Sequence, residues 1–89
     1  MDQTIKKRLL RRLKILQGQL RGLENMVNTE QYCIDIIHQS LAIQESLGSL
    51  NQEMLKNHLQ THVVHQMKHG QERKAIQEML SVCKLAHKI

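Results

Sequence analysis

Residues 30–64 read EQYCIDIIHQSLAIQESLGSLNQEMLKNHLQTHVV, and this stretch decides the fold. Its apolar residues recur at intervals of three and four, which is the period of an α-helix, and it has no proline to interrupt one. They form two stripes, the first of Ile36, Ile43, Leu47, Leu50 and Met54, and the second of Ile34, Ile37 and Leu41. A helix that is apolar on two sides packs against two neighbours. We therefore predict a long helix of about 35 residues, roughly 50 Å in length, with a neighbour on each side.

Shorter helices are predicted before and after this one. Residues 4–27 carry a heptad-like stripe, whose members are Leu9, Leu13, Leu16, Leu20, Leu23 and Val27. Asn28 and Thr29 break the pattern, and Thr29 is predicted to be the N-cap of the long helix. Residues 68–70 form a second break, and residues 71–87 follow as a third helix with an apolar face of Ala75, Ile76, Met79, Leu80 and Cys83. We therefore predict one all-α domain over residues 1–89, a three-helix protomer with a long second helix.

The composition narrows the classes of function. The 89 residues include no Trp, no Phe and one Tyr, so the large aromatic anchors of a monomeric core are missing and oligomerisation is expected. The net charge of +5 indicates an acidic partner, which can be DNA, RNA or an anionic membrane surface. Two cysteines make a poor disulfide framework, which favours a reducing cytoplasm. No apolar run reaches about 20 residues and no catalytic motif is present, so we predict neither a membrane protein nor an enzyme.

A metal site is indicated by one cysteine and two histidines of the long helix. His58 and His62 lie four residues apart, so they share one helix face and can bind one ion together. Cys33 lies 25 residues before His58, which is roughly 37 Å along a straight helix and too far for a shared ion. Two copies of the helix packed antiparallel about a two-fold axis would close that distance. The small residues Ser46, Gly48 and Ser49 lie near the required crossing point.

The donor set favours a soft, thiophilic ion. One thiolate and two imidazoles suit three-coordinate Cu(I), whereas Zn(II) would need a fourth ligand from water or a neighbour. The residues leave Cys33 with a second interpretation, that of a small apolar residue buried at the start of a helix.

Three segments resemble the CsoR/RcnR family of bacterial metal-sensing repressors. They are RLKILQGQLRGLENMV in the first helix, QYCIDIIHQ at the start of the second and MLKNHLQTHVVHQ near its end. The resemblance covers nearly the whole chain, and the spacing of Cys33, His58 and His62 matches the ligand register of the family. It implies a tetramer built as a dimer of antiparallel dimers. It also implies repression of a metal-efflux operon that metal relieves.

The resemblance further implies an inducer and residues around the ligands. Cys33, His58 and His62 match the pattern of the copper sensors, in which Tyr32 and Glu78 would contact the ligands. The nickel and cobalt sensors remain an alternative because His65 adds a possible further ligand. Formaldehyde and persulfide sensors match less well, because this chain has Asp2 and His62 where those members need other residues. We therefore expect Cu(I) as inducer, with Ni(II), Co(II) and Zn(II) as alternatives.

A basic surface on the first helix is predicted to contact double-stranded operator DNA. Its members are Lys6, Lys7, Arg8, Arg11, Arg12, Lys14 and Arg21. The absence of stacking aromatics makes single-stranded nucleic acid a poorer partner. Two alternatives remain open, an ordinary solvated helix face and a metal-storage bundle without a DNA role. Cys83 is expected in the core, and His38, His69 and His87 at the surface.

Overall fold

The structure is a computed structural model that describes residues 1–86. It contains α1 (Gln3–Asn28), α2 (Cys33–His58), a π-helical turn (Leu59–Val63), α3 (Val64–Lys68) and α4 (Glu72–Ala86). The helix α2, the π-helical turn and α3 follow one another without a gap, so together they form the long second helix. The prediction of an all-α chain of three helices with a long second one is therefore confirmed. His87, expected at the surface, lies outside the described residues.

The connection between α1 and α2 corrects one prediction. Thr29 ends α1 instead of capping α2, since its backbone N–H and its hydroxyl both donate to the Asn25 carbonyl, at 2.9 and 2.8 Å. Glu30 then adopts a left-handed conformation with φ of 52°, and the Gln31 N–H donates to the Met26 carbonyl at 3.0 Å. This pattern is the Schellman motif, which satisfies the last carbonyls of a helix. Because residues 29–31 complete that motif, α2 begins only at Cys33.

The other helix ends follow from ordinary capping chemistry. Asp2 is the N-cap of α1, because its side chain accepts a hydrogen bond of 2.8 Å from the Thr4 N–H. Gly70, with φ of 71°, supplies the left-handed residue after α3, and the Gln71 N–H donates to the Gln66 carbonyl at 2.7 Å. A residue with a Cβ would be strained at this φ, so the glycine ends α3 and starts the turn into α4.

The chain divides into two compact units, of which the first covers Met1–Met54. Its buried apolar residues are Leu9, Leu16 and Ile43. Arg8, near the start of α1, is hydrogen-bonded to Glu53, near the end of α2, so the two helices lie side by side in opposite directions. The stripe of α1 is split, since Leu9 and Leu16 are buried whereas the residues four after each of them, Leu13 and Leu20, are exposed.

The second compact unit begins at Leu55 and contains the π-helical turn, α3 and α4. Its core is small: Ala75 is buried, and Val63 and Met79 are half-buried. Two polar side chains, Asn57 and Gln66, are also buried. An open apolar groove is lined by Val63, Met67, Ala75, Ile76, Met79, Leu80 and Cys83.

Both units leave apolar faces exposed. On α2 the stripe predicted to meet a second neighbour, Ile34, Ile37 and Leu41, is exposed along its length. Within residues 1–86, no helix is both long enough and apolar enough to cross a membrane.

Candidate metal site and DNA-binding surface

The His58–His62 pair lies where α2 passes into the π-helical turn. His58 is the last residue of α2, and His62 lies within the turn. The two imidazole rings are stacked, with centroids 5.1 Å apart and planes inclined by 21°. π-helical turns are rare and occur often at functional sites. The two imidazoles therefore lie side by side where α2 passes into the turn.

Glu78 approaches His58 from α4. Its Oε2 atom lies 3.9 Å from Nε2 of His58, and its Oε1 atom accepts a long hydrogen bond of 3.4 Å from Nε2 of Gln66. The first distance exceeds a hydrogen bond and is short enough for electrostatic attraction. Nε2 of His58 therefore faces a carboxylate. Gln66 was missed in the sequence, where nothing separates it from other polar helix residues.

His62 has a different neighbour. Its Nδ1 atom lies 3.1 Å from the hydroxyl oxygen of Thr61, and that hydroxyl lies 2.8 Å from the Asn57 carbonyl oxygen. Thr61 was also missed, although the sequence carried a signal. A threonine four residues after Asn57 can hydrogen-bond to that carbonyl, and it directly precedes a candidate ligand.

Cys33 is the first residue of α2 and a free, exposed thiol. Tyr32 precedes it, with its side chain exposed and its carbonyl accepting the Asp35 and Ile36 N–H groups at 3.0 and 3.2 Å. Cys33 and His58 are the two end residues of one 26-residue helix. Among the described residues of a single chain, no three His, Cys, Asp or Glu side chains are grouped as a metal site would require.

His65 pairs with a histidine other than the two candidate ligands. Its ring stacks on that of His69 with centroids 4.0 Å apart, and its carbonyl oxygen lies 2.9 Å from Nδ1 of His69. Its assignment as an additional metal ligand stays a prediction.

Cys83 corrects another expectation. It was predicted to be a core residue of the third helix, and in this chain it is exposed on the wall of the apolar groove. The apolar face of α4 was identified correctly, but the described residues do not cover its Cys83 end.

The basic residues of α1 divide into two groups. Arg8 and Arg12 contact Glu53, with Arg8 Nη1 2.7 Å from Oε1 and Arg12 Nε 3.2 Å from Oε2. The second contact is an ion pair without hydrogen-bond alignment, since Oε2 has no hydrogen-bond partner. The remaining basic side chains are exposed, and they are Lys6, Lys7, Arg11, Lys14 and Arg21. Glu53, which is 15% exposed, was missed, because its partners lie about 45 residues away in the sequence.

Comparison with known proteins places this arrangement in a family. The family described as metal-sensitive transcriptional repressor matches residues 5–84. The copper-sensing transcriptional repressor CsoR of Bacillus subtilis (strain 168) is 37% identical over 79 residues, which are 89% of this chain and 78% of that protein. The repressor of the same name from Mycobacterium tuberculosis (strain ATCC 25618 / H37Rv) is 39% identical over 84 residues, or 93% of this chain and 71% of that protein.

A solved structure gives the same result. The crystal structure of the copper-sensing repressor CsoR with Cu(I) from Geobacillus thermodenitrificans NG80-2 has a TM-score of 0.90 and 31% sequence identity, and the match covers 99% of this chain and 92% of that one. The resemblance seen in the sequence is therefore confirmed, and this chain belongs to the family of metal-sensitive transcriptional repressors.

Proposed function

We propose that residues 1–89 act as one copper-responsive repressor unit. It binds operator DNA without metal and releases the DNA when Cu(I) binds Cys33 of one subunit and His58 and His62 of another, so that metal-efflux genes are expressed. The observation that carries the proposal is the stacked His58–His62 pair with Glu78 beside it. A role of this kind is regulatory and requires no catalysis.

The need for two subunits follows from the length of α2. Its 26 residues separate Cys33 from His58 by roughly 37 Å at 1.5 Å per residue. In an antiparallel pair, the two-fold axis passes near the midpoint between Cys33 and the histidines, at residues 46–48. Apart from its chain neighbours and the nearby backbone of its own helix, a Cβ added at Gly48 would meet no described atom within 4 Å. The packing of a single chain therefore does not require this glycine, whereas a closely crossing second helix would.

The donor set fits copper. The Cys33 thiol is free and exposed, and each histidine has one ring nitrogen whose neighbours leave it available, as the contacts of Glu78 and Thr61 indicate. One thiolate with two imidazoles suits Cu(I), and the named relatives sense copper. The site requires a reduced thiol, which favours action in the cytoplasm.

Nickel or cobalt is the second candidate inducer. Two of the three proposed ligands are imidazoles, which also suit Ni(II) and Co(II). His65 lies three residues after His62 and would add a further nitrogen ligand. These ions prefer more ligands than three, so an affinity that depends on His65 favours them over Cu(I).

Exposed apolar seams support assembly beyond the dimer. Leu13, Leu20 and Val27 of α1 are exposed at seven-residue intervals, as are Ile34 and Leu41 on α2. Regular apolar seams of this kind are typical of helix–helix interfaces. We propose that one seam is covered in an antiparallel dimer and another where two dimers form a tetramer.

The coupling between the two sites would run through His58. When bound, the metal supplies a fixed link between two subunits and a fixed orientation of each imidazole. Nε2 of His58 would then be a permanent N–H donor toward Glu78, which lies 3.9 Å away in this structure. Shortening that distance to a hydrogen bond would move α4 relative to the histidines. If the tetramer fits the duplex only with the longer distance between His58 and Glu78, metal binding lowers the affinity for DNA. DNA binding then lowers the affinity for metal by the same factor.

The test is a titration of the protein against the duplex upstream of its own gene, followed by fluorescence anisotropy, with and without one equivalent of Cu(I) per subunit. We expect tight binding without metal and a loss of about 5- to 150-fold with Cu(I). Ni(II), Co(II) and Zn(II) serve as parallel arms. A larger loss of DNA affinity with Ni(II) or Co(II) than with Cu(I) would identify that ion as the inducer in place of copper. Cu(I) binding by a protein that binds no DNA under any condition would support the metal-storage bundle.

A further inference from the structure

We propose that Thr61 is a positioning residue that holds His62 in one tautomer, with the proton on Nδ1, so that His62 binds metal through Nε2. The proposal rests on the assignment of His62 as a ligand in the proposed function. It assigns a role to a hydroxyl group that is not itself a metal ligand.

The Thr61 hydroxyl has a single hydrogen to donate. Its oxygen lies 2.8 Å from the Asn57 carbonyl oxygen and 3.1 Å from Nδ1 of His62. A carbonyl oxygen can only accept, so the hydroxyl must donate its hydrogen to Asn57. The hydroxyl then has only lone pairs to offer His62. Nδ1 of His62 must therefore be the donor and carry a proton.

The opposite assignment leaves an unfavourable contact. If the hydroxyl donated to Nδ1 of His62, two oxygen lone pairs would face each other at 2.8 Å between Thr61 and Asn57. Asn57 is buried and its carbonyl fixed by the helix, so it has little freedom to move away. The hydrogen bonds thus run in one direction, from His62 through Thr61 to Asn57. Each bond in such a series strengthens the next.

The consequence is that the two histidines present different nitrogens. His58 has Glu78 beside its Nε2 atom and offers Nδ1, whereas His62 has Thr61 beside its Nδ1 atom and offers Nε2. Metal-binding histidines commonly donate their second N–H to a neighbouring group that fixes the ring. Here a charged group from α4 lies 3.9 Å from the second nitrogen of His58, and a neutral group of the same turn lies 3.1 Å from the second nitrogen of His62. Thr61 therefore prepares His62 for metal but does not connect it to α4.

The test is made on the metal-free protein with 15N-labelled histidine, by long-range 1H–15N correlation NMR at mildly alkaline pH. We expect His62 to carry its proton on Nδ1 in the parent and in Thr61→Ser, which keeps the hydroxyl. Thr61→Val has nearly the same shape without it, and we expect His62 to shift toward the Nε2–H form. Retention of Nδ1–H in Thr61→Val, or Nε2–H in the parent, would overturn the proposal.

A second measurement links the tautomer to metal binding. We expect Thr61→Val to lower Cu(I) affinity by about tenfold, as loss of a group that orients a ligand does, and Thr61→Ser to restore it. Unchanged Cu(I) affinity in Thr61→Val would contradict a positioning role. If instead His62→Ala binds Cu(I) as tightly as the parent, His62 is not a ligand and the proposed function fails, whatever the NMR result.

Discussion

Cys33 and Cys83 are both free and exposed thiols, and at the scale of single residues their positions separate their roles. Cys33 begins α2, next to Tyr32 and at the end of the helix that an antiparallel partner would bring to the histidines. Cys83 lies on the wall of an apolar groove among Met79, Leu80 and Ile76. An apolar wall offers no second donor, so Cys83 is suited to packing against a neighbour.

This difference gives the first prediction. Cys33→Ala should abolish tight Cu(I) binding, because it removes the only soft donor of the site. Cys83→Ala is the matched control, since it removes the other exposed thiol, and it should leave Cu(I) affinity within about threefold of the parent. Competition with a chromogenic Cu(I) chelator measures both. Equal losses in the two variants would contradict the ligand assignment.

Spacing made part of the site predictable from the sequence. His58 and His62 are four residues apart, and that interval places two side chains on one helix face whatever the rest of the chain does. The spacing of Thr61 from Asn57 was a signal that its hydroxyl could bond to the helix backbone, but its role toward His62 depends on where one hydroxyl hydrogen points, which a residue pattern does not encode. The ligand roles themselves stay predictions until metal binding is measured.

At the scale of helices, α1 carries the proposed DNA surface and Glu53 of α2 holds part of it. Glu53 contacts Arg8 and Arg12, and those two side chains are therefore oriented by α2 as well as by their own helix. Lys14 is exposed and lies two residues after Arg12. Phosphate contacts made by Arg8 and Arg12 would have to compete with Glu53, whereas those made by Lys14 would not.

The second prediction uses that distinction. Lys14→Glu should weaken DNA binding across sequences and flatten the dependence of log affinity on log salt concentration by about one unit, as loss of one phosphate contact does. Lys74→Glu on α4 makes the same change in net charge and is the control. Arg12→Glu should in addition lower the thermal stability, because it places a carboxylate beside Glu53. Identical salt slopes for the two lysine variants would move the DNA surface away from α1.

The third prediction concerns α4. Glu78→Ala should keep most of the Cu(I) affinity and lose most of the effect of Cu(I) on DNA binding, because Glu78 is the group of α4 that faces His58. Glu72→Ala, in the first turn of the same helix, is the control and should behave as the parent. The measurement is DNA affinity with and without saturating Cu(I). If the ratio for Glu78→Ala equals that of the parent, the signal travels through α2 alone.

Helix boundaries show what local pattern can and cannot determine. The apolar period located α1, the long second helix and α4 because each helix has an apolar face that repeats over several turns. Thr29 was misassigned because a threonine can cap a helix start or close a helix end, and only the backbone of Glu30 and Gln31 decides between them. The role of Glu53 could not be predicted for a different reason. Its contact with Arg8 joins distant parts of the chain, which a local pattern does not reveal.

At the scale of the whole molecule, exposed large apolar residues outnumber buried apolar residues among those described. Only Leu9, Leu16, Ile43 and Ala75 are buried apolar residues among those described, whereas large apolar side chains are exposed on every helix longer than one turn. A chain that folds as a monomer seldom leaves apolar seams of this regularity in water. We therefore expect light scattering at micromolar concentration to find a tetramer, and a monomer would refute the proposed assembly.

The last prediction locates the crossing of the two long helices at Gly48. Within one chain, Gly48→Ala should favour the helix, since alanine is the better helix former by about 1 kcal/mol and, apart from its chain neighbours and the nearby helix backbone, the added Cβ meets no described atom within 4 Å. In a close antiparallel pair the same Cβ would push the backbones apart, and Gly48→Leu should do so more strongly. Because overpacking costs roughly 1–3 kcal/mol, we expect the dimer dissociation constant to rise about tenfold or more in Gly48→Leu, with Gly48→Ala between it and the parent.

Gly22→Leu on α1 makes the same substitution at another open glycine outside the proposed crossing, and it should leave the dimer intact. Sedimentation velocity over a dilution series measures the constants, and circular dichroism checks that each variant stays helical. Since Cys33 reaches the histidines only across this contact, Gly48→Leu should also weaken Cu(I) binding in step with dissociation. A Gly48→Leu protein that associates as the parent does would place the two-fold axis elsewhere on α2, and the Cys33 register with His58 and His62 would then fail with it.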